Sequence, residues 1–214
     1  MNLVVLSDGM TEQRERHELL TLIGQRPRSC RAFCIGVGNE VNRPLLEQLS
    51  ADTGGLAAFI SRGDNFERQA KAFRRKLTRP VAADLSLAFD GIDVYDVEPR
   101  VLPNLYHGSP IRVYGRYRGN GEATVSVKGD IRGIAFKKRA GLEFPKQDDS
   151  NPEIERSWAS HRIDSLLKQA DRSGRRDSVL ADIVRLGETY SIVSEYTSFL
   201  VLENDGEYRR WKID

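Results

Sequence analysis

The sequence is poor in the residues that mark specialised chemistry. Its 214 residues hold two cysteines, three histidines, two tryptophans and two methionines. Cys30 and Cys34 fit neither a disulfide framework nor a zinc site. On a strand they share a face, but their spacing is too long for a within-strand disulfide, so they read as buried thiols. His17, His107 and His161 fall in three different regions, none with metal-ligand spacing. No apolar run approaches the roughly 18 residues of a membrane span, and Met1–Gly9 lacks the basic and apolar regions of a secretory signal. No G-x-S-x-G elbow gives a hydrolase a handle. Gly36-Val37-Gly38 follows a strand, but no G-x-G-x-x-G or G-x-x-x-x-G-K-[ST] surrounds it, so it reads as a structural turn. No enzyme is expected.

Charge of either sign is not in excess. Lys and Arg number 33 against 31 Asp and Glu, a net charge of +2, which gives no case for nucleic acid. Hydrophobic residues at 39% and charged ones at 30% suit a globular protein with a modest core. One local exception is basic: Arg68, Lys71, Arg74, Arg75, Lys76 and Arg79, which with Lys137-Lys138-Arg139 offer an anion-binding face. Asp64 and Glu67 dilute that charge, and a solvated helix face is the plainer reading.

What is present begins with Asn2-Leu3-Val4-Val5-Leu6-Ser7-Asp8-Gly9, an apolar run of the kind that forms a fully buried parallel strand. It ends in a carboxylate at the strand's carboxyl edge, where open α/β sheets usually place their sites. Such a strand needs a neighbour on each side. Either it is an edge, which makes its apolar run a liability, or the chain lacks the half of a domain that should flank it. A helix is expected from Thr11 to Leu22, capped by Thr11 and stopped by Gly24 and Pro27. Arg31–Gly38 reads as a second buried strand, and Asn42-Arg43-Pro44 opens a second helix ended by Gly54-Gly55. Leu56–Ile60 is a third strand, and Asp64 caps a basic helix to Leu77 that is buried through Phe66, Ala70, Phe73 and Leu77. Strands alternating with helices imply a parallel sheet with right-handed crossovers.

Near Pro80 the period falls to two. Leu85, Leu87 and Phe89 alternate with small residues, and Ile111–Tyr117 with Thr124–Val127 reads as a hairpin closed by Gly119-Asn120-Gly121. Residues 84–144 are therefore expected to form an antiparallel sandwich or part of one. After the polar break at 147–152, Ile154, Trp158, Ile163, Leu166, Leu167 and Ala170 make one helical stripe. Val179, Leu180, Ile183, Val184 and Leu186 make another, and the pair reads as a helical hairpin docked on the sheet or sandwich. Tyr196–Leu202 is expected to be a last strand. The domain boundaries drawn from this are 1–79, 80–146 and 147–214.

Several of these strings resemble a known arrangement. Ser7-Asp8-Gly9, Phe33-Cys34-Ile35-Gly36-Val37-Gly38-Asn39 and Gly54-Gly55, in that order, resemble the second half of a von Willebrand factor A domain. Val94-Tyr95-Asp96-Val97 with Pro99, Tyr114-Gly115-Arg116-Tyr117-Arg118-Gly119, Trp158-Ala159 and Tyr196-Thr197-Ser198-Phe199-Leu200 narrow it further. Together they are similar to bacterial proteins that pair a VIT domain with a von Willebrand A domain, and to inter-alpha-trypsin inhibitor heavy chains. The resemblance implies an α/β fold followed by β: strands 4–6 of a Rossmann-like von Willebrand A sheet, an antiparallel sandwich-like region and a helical hairpin. It implies a non-enzymatic adhesion or protein-interaction module, secreted or at the cell surface. It also implies a metal-ion-dependent adhesion site for Mg²⁺, built from D-x-S-x-S on the first strand, a later threonine and an aspartate after the fourth strand. Asp8 matches that last aspartate, an orphan ligand here. The nearest string to D-x-S-x-S, Asp84-Leu85-Ser86-Leu87-Ala88, lacks the final serine and lies in the β-rich region, so this chain reads as a truncated domain with an incomplete site and no cofactor of its own. The alternative is a self-associating scaffold that pairs through the exposed strand Leu3–Leu6.

Overall fold

The computed structural model describes residues 2–27, 30–61, 63–77 and 80–198. Its first part alternates as the sequence pattern requires: β1 (Asn2–Ser7), α1 (Gln13–Gly24), β2 (Arg31–Val37), α2 (Arg43–Asp52), β3 (Ala57–Ile60) and α3 (Phe66–Leu77). The three strands form one parallel sheet in the order β1-β2-β3. β2 is central, and its alternation serves two cores. Cys34 faces Leu20 of α1 and Leu45, Leu46 and Leu49 of α2, with Val5, Ala57 and Phe59 beside them. Phe33 faces the other way, edge-on to Phe73 of α3 and to Tyr106, with Ile35 and Ala58 alongside.

β1 is an edge strand, and the expected full burial does not hold. Val4 and Leu6 pair in register with Phe33 and Ile35 yet are 51% and 64% exposed. The cover supplied by α3 and Tyr106 lies over β2 and β3 and leaves this side of β1 bare.

The helix starts follow local chemistry with two corrections. Thr11 does not cap α1; Glu12 stands at the cap, and the Glu15 carboxylate accepts from the Glu12 N–H at 3.2 Å and the Thr11 hydroxyl at 2.7 Å. Asn42 caps α2 as expected, accepting from the Leu45 N–H at 3.3 Å. Asn65, rather than Asp64, caps α3 by accepting from the Arg68 N–H at 2.9 Å, while Asp64 turns back to the Ser61 N–H. Phe66, expected inside, is 58% exposed, and Ala70 is exposed too.

The second part is antiparallel. β4 (Ala83–Asp90), β5 (Asp93–Glu98), β6 (Tyr114–Arg118), β7 (Gly121–Ile131) and β8 (Ile134–Phe144) form two sheets, β4-β7-β8 and β5-β6. The expected hairpin at Gly119-Asn120-Gly121 does not form. The turn exists, but β6 pairs with β5 and β7 with β4 and β8, so the turn carries the chain from one sheet to the other. The tight hairpin is instead β7–β8, closed by Arg132 and Gly133, both at positive φ, with Asp130 accepting from the Gly133 N–H.

Two helices follow, α4 (Glu153–Ser173) and α5 (Asp177–Tyr190), packed through Ile163, Leu166, Ala170, Val179 and Ile183. Ile154 and Leu180, expected in these stripes, are exposed. Ser194 and Thr197 bridge in a turn, and the expected strand Tyr196–Leu202 passes outside the described residues at 199. α4 packs on α1 with one half and on β5 and β6 with the other.

Candidate functional site

The carboxyl edge of the parallel sheet is where the opening motif places its carboxylate. Asp8 sits directly after β1, exposed, with its Oδ1 accepting from the Met10 N–H at 3.1 Å and its carbonyl accepting from the Asn42 N–H at 2.8 Å. The Ser7 hydroxyl accepts from the Gly9 N–H at 3.0 Å. Gly9 has φ +71°, and a Cβ there would touch Leu46 at 3.0 Å, so the turn that presents Asp8 needs glycine. The carboxylate thus holds its own turn and still faces solvent.

A hard dication wants about six oxygen ligands. Among the described residues no group of three or more His, Cys, Asp or Glu side chains is placed to hold a metal. Asp8 with the engaged Ser7 hydroxyl does not fit Mg²⁺ by itself. Gly36-Val37-Gly38 at the neighbouring strand end is structural: a Cβ on Gly36 would meet the Phe59 ring at 2.6 Å.

Beside Asp8 runs β1, the outer strand of its sheet among the described residues. Asn2–Ser7 carries no charge, bulge or proline, the usual guards of an open edge. With Val4 and Leu6 half bare, covering both would contribute about 2–3 kcal/mol.

The other sequence candidates stay apart. His17 lies on α1 with Nδ1 3.3 Å from the Asp171 carbonyl, and His161 stacks on Tyr114 at 4.9 Å. Cys34 is fully buried, and burial pushes its thiol up. Cys30 is half-buried and free. Arg68, Lys71 and Arg74 are exposed, Lys71 pairing with Glu67 at 2.5 Å.

Two charged clusters, one buried and one half-buried, escape a reading of the sequence. Glu98, at the end of β5, has no exposed surface; it accepts from Arg162 Nη1 at 2.8 Å and Ser165 Oγ at 2.5 Å, both on α4. Nearby, Trp158 Nε1 donates to the Asp96 carbonyl at 2.8 Å, under the guanidinium of Arg116. Ser165-Leu166-Leu167-Lys168 has the S-x-x-K spacing, but its hydroxyl is committed to Glu98, so it is no nucleophile. At the far end of α4, Asp171 accepts from Arg16 of α1 and from Arg176, each at 2.8 Å. Burial works against the charge on Arg176, but Asp171 and Glu195 outweigh it and raise its pKa. Gln48 donates to the Lys168 carbonyl at 3.1 Å, and Arg172 pairs with Asp52 of α2. α4 is thus a polar clasp between the parallel sheet's helices and the β5–β6 ribbon. The available signal was Arg162 and Ser165, spaced to share a helix face with Trp158 and Leu166.

The chain is 26% identical over 204 residues to a von Willebrand factor A domain-containing protein of Dictyostelium discoideum, covering 93% of this chain and 24% of that protein. It is 28% identical over 191 residues to human inter-alpha-trypsin inhibitor heavy chain H4, covering 82% of this chain and 20% of that protein. The chain has von Willebrand A domain-like homologues. It spans about a quarter or less of the length of these curated relatives. No family model matches it. Among solved structures, the ArnB paralog VWA2 from Sulfolobus acidocaldarius is 19% identical with a TM-score of 0.35, covering 90% of this chain and 56% of that one. A von Willebrand factor type A structure from Catenulispora acidiphila is 16% identical with a TM-score of 0.40, covering 89% and 55%. No helix of the described residues is long and apolar enough to cross a membrane.

Proposed function

We propose that this chain is a non-enzymatic protein-interaction module of the von Willebrand A type that works through the β1 edge and the carboxylate at its end. The observation that carries the reading is β1 itself: an uncharged, apolar strand that pairs with β2 and stands at the edge of its sheet among the described residues, beside an exposed Asp8, in a chain with von Willebrand A domain-containing relatives. A strand added to β1 would cover Val4 and Leu6 and bring its own oxygen ligands beside Asp8. The intact site would then take Mg²⁺, with Asp8 as one ligand and an acidic side chain of a partner filling an open position. The relatives named as inter-alpha-trypsin inhibitor heavy chains support a secreted or cell-surface setting, with a VIT domain in the whole polypeptide. Residues 1–79, 80–146 and 147–214 are proposed as its three structural segments.

The test uses a synthetic strand carrying D-x-S-x-S, added to the protein with Mg²⁺ and followed by calorimetry. The reading expects one-to-one binding that weakens about tenfold or more with EDTA or with Asp8→Asn. Binding indifferent to both, or no binding, overturns it.

A second reading is favoured by the absence of charge on Asn2–Ser7, since nothing repels a second copy: a self-associating scaffold pairing β1 with β1. Light scattering across a concentration series decides it. A mass rising above 24.2 kDa, and restored to that value by Leu6→Lys, supports it; a steady monomer rules it out.

A further inference from the structure

The molecule has a second open edge of opposite character. β8 lies at the outside of the β4-β7-β8 sheet, pairs with β7 along all of Gly121–Ile131, and has no partner on its other side among the described residues. It is exposed over nearly its whole length. In place of the neutral run of β1 it carries Lys137, Lys138 and Arg139 in succession.

The register sharpens the charge. Lys137 stands directly opposite Lys128 of β7, and Arg139 opposite Ser126. Like charges facing each other across a pair are destabilising unless something neutralises them. Among the described residues none of Lys128, Lys137, Lys138 and Arg139 has an ion-pair partner, although Lys71 and several arginines do. On the opposite side of the strand Phe136, Ala140 and Leu142 continue the face of Val125 and Ala123 on β7, with Lys138 standing between Phe136 and Ala140 opposite Val127. Leu142 is 46% exposed. The pleat therefore puts Lys137 and Arg139 on one face and, on the other, an apolar surface crossed by Lys138.

We infer that β8 is a docking edge for an acidic extended segment of another polypeptide, which adds as a further strand. Its carboxylates would alternate to meet Lys137 and Arg139 on one face, and its apolar residues would extend the Phe136 and Ala140 face on the other, lying along the aliphatic stem of Lys138 between them. Main-chain hydrogen bonds to the open edge supply affinity, and the alternation supplies specificity. A second copy is the wrong occupant. Antiparallel pairing of β8 with β8 about Lys138 sets Lys137 against Arg139 of the other copy, cation on cation. The same triplet that guards this edge against self-pairing selects an acidic strand. This surface lies in a different sheet from β1 and Asp8, so the inference stands without the reading given above.

The probe is a labelled peptide of about seven residues alternating valine and glutamate, long enough for Ala135–Gly141, followed by fluorescence anisotropy with the full chain. Binding is expected at about 0.15 M salt, weakened about tenfold or more by the double substitution Lys137→Glu with Arg139→Glu. Both positions are exposed, and a circular dichroism spectrum checks that the variant is folded. The same peptide N-methylated at alternate residues keeps its charge but loses one row of donors, and should also bind about tenfold more weakly. Three results overturn the inference: an N-methylated peptide that binds as well as the parent, a double variant that binds unchanged, or no binding of the parent peptide. A heparin fragment or single-stranded oligonucleotide that displaces the peptide and binds at least as tightly, independent of strand hydrogen bonding, assigns the edge to polyanions instead and overturns it too.

Discussion

Glu98→Ala tests how the two parts of the molecule are held together. Glu98 is fully buried between β5 and α4, where it accepts from Arg162 at 2.8 Å and Ser165 at 2.5 Å. Truncation removes the carboxylate and strands a guanidinium that is 19% exposed, with a hydroxyl beside it. Removing one member of a buried pair costs about 3–5 kcal/mol, and the little water that reaches Arg162 puts this case at about 3–4. For a chain of this size that corresponds to a fall in Tm of about 6–16 °C. Urea titration followed by far-ultraviolet dichroism measures the loss. Tryptophan fluorescence follows the same interface, because Trp158 donates to the Asp96 carbonyl beside it. A cycle with Arg162→Met then separates the pair from its surroundings. Glu98→Met with Arg162→Met should recover half or more of the loss, since apolar replacement of a whole buried pair is often near neutral. A loss below about 1 kcal/mol for Glu98→Ala, or strict additivity in the cycle, refutes the clasp.

Other outcomes follow from the same packing. Leu6→Lys should change unfolding free energy by less than about 0.5 kcal/mol because its side chain is open, whereas Phe33→Ala, buried against Phe73 and Tyr106, should cost about 3–5 kcal/mol by chemical denaturation. Gly55→Ala places a Cβ 1.9 Å from the Ala32 carbonyl oxygen and should cost about 3 kcal/mol, read from the same titration. Burial raises the pKa of Cys34 above its ordinary 9.0 and that of Tyr106 above 10.0. Their unfolded forms release protons first, so stability is full below pH about 9 and falls as pH rises through the folded values. Cys34→Ala should flatten the alkaline arm of a Tm–pH curve, and a thiol reagent at neutral pH should modify Cys30 well before Cys34.

What was legible in the sequence was local. Asn42 and Pro44 announce α2, and the alternation of Arg31–Val37 announces β2, because caps and pleats depend on neighbours within a turn or two. Partnership was not legible. Gly119-Asn120-Gly121 has hairpin chemistry, yet its flanking strands join different sheets, a choice made by residues far along the chain. Phe66 has the right spacing for burial on α3 yet is 58% exposed, while Phe73 on the same helix is the one that packs edge-on to Phe33. Glu98 and Arg162 look like ordinary polar residues until the fold closes 64 positions between them. At the candidate site, the sequence indicated Asp8 and the strand leading to it, while the exposure of Val4 and Leu6 needed the observed reach of α3 and Tyr106.

The central claim is that β1 is an open edge ready to receive a strand, and amide hydrogen exchange tests it most directly. In dilute monomeric protein, the outward-facing amides among Leu3–Leu6 should exchange much faster than those of Phe33–Ile35, and should slow when the D-x-S-x-S strand and Mg²⁺ are added. Protection of Leu3–Leu6 equal to that of β2 in the same monomer, unchanged by the strand, would contradict the account.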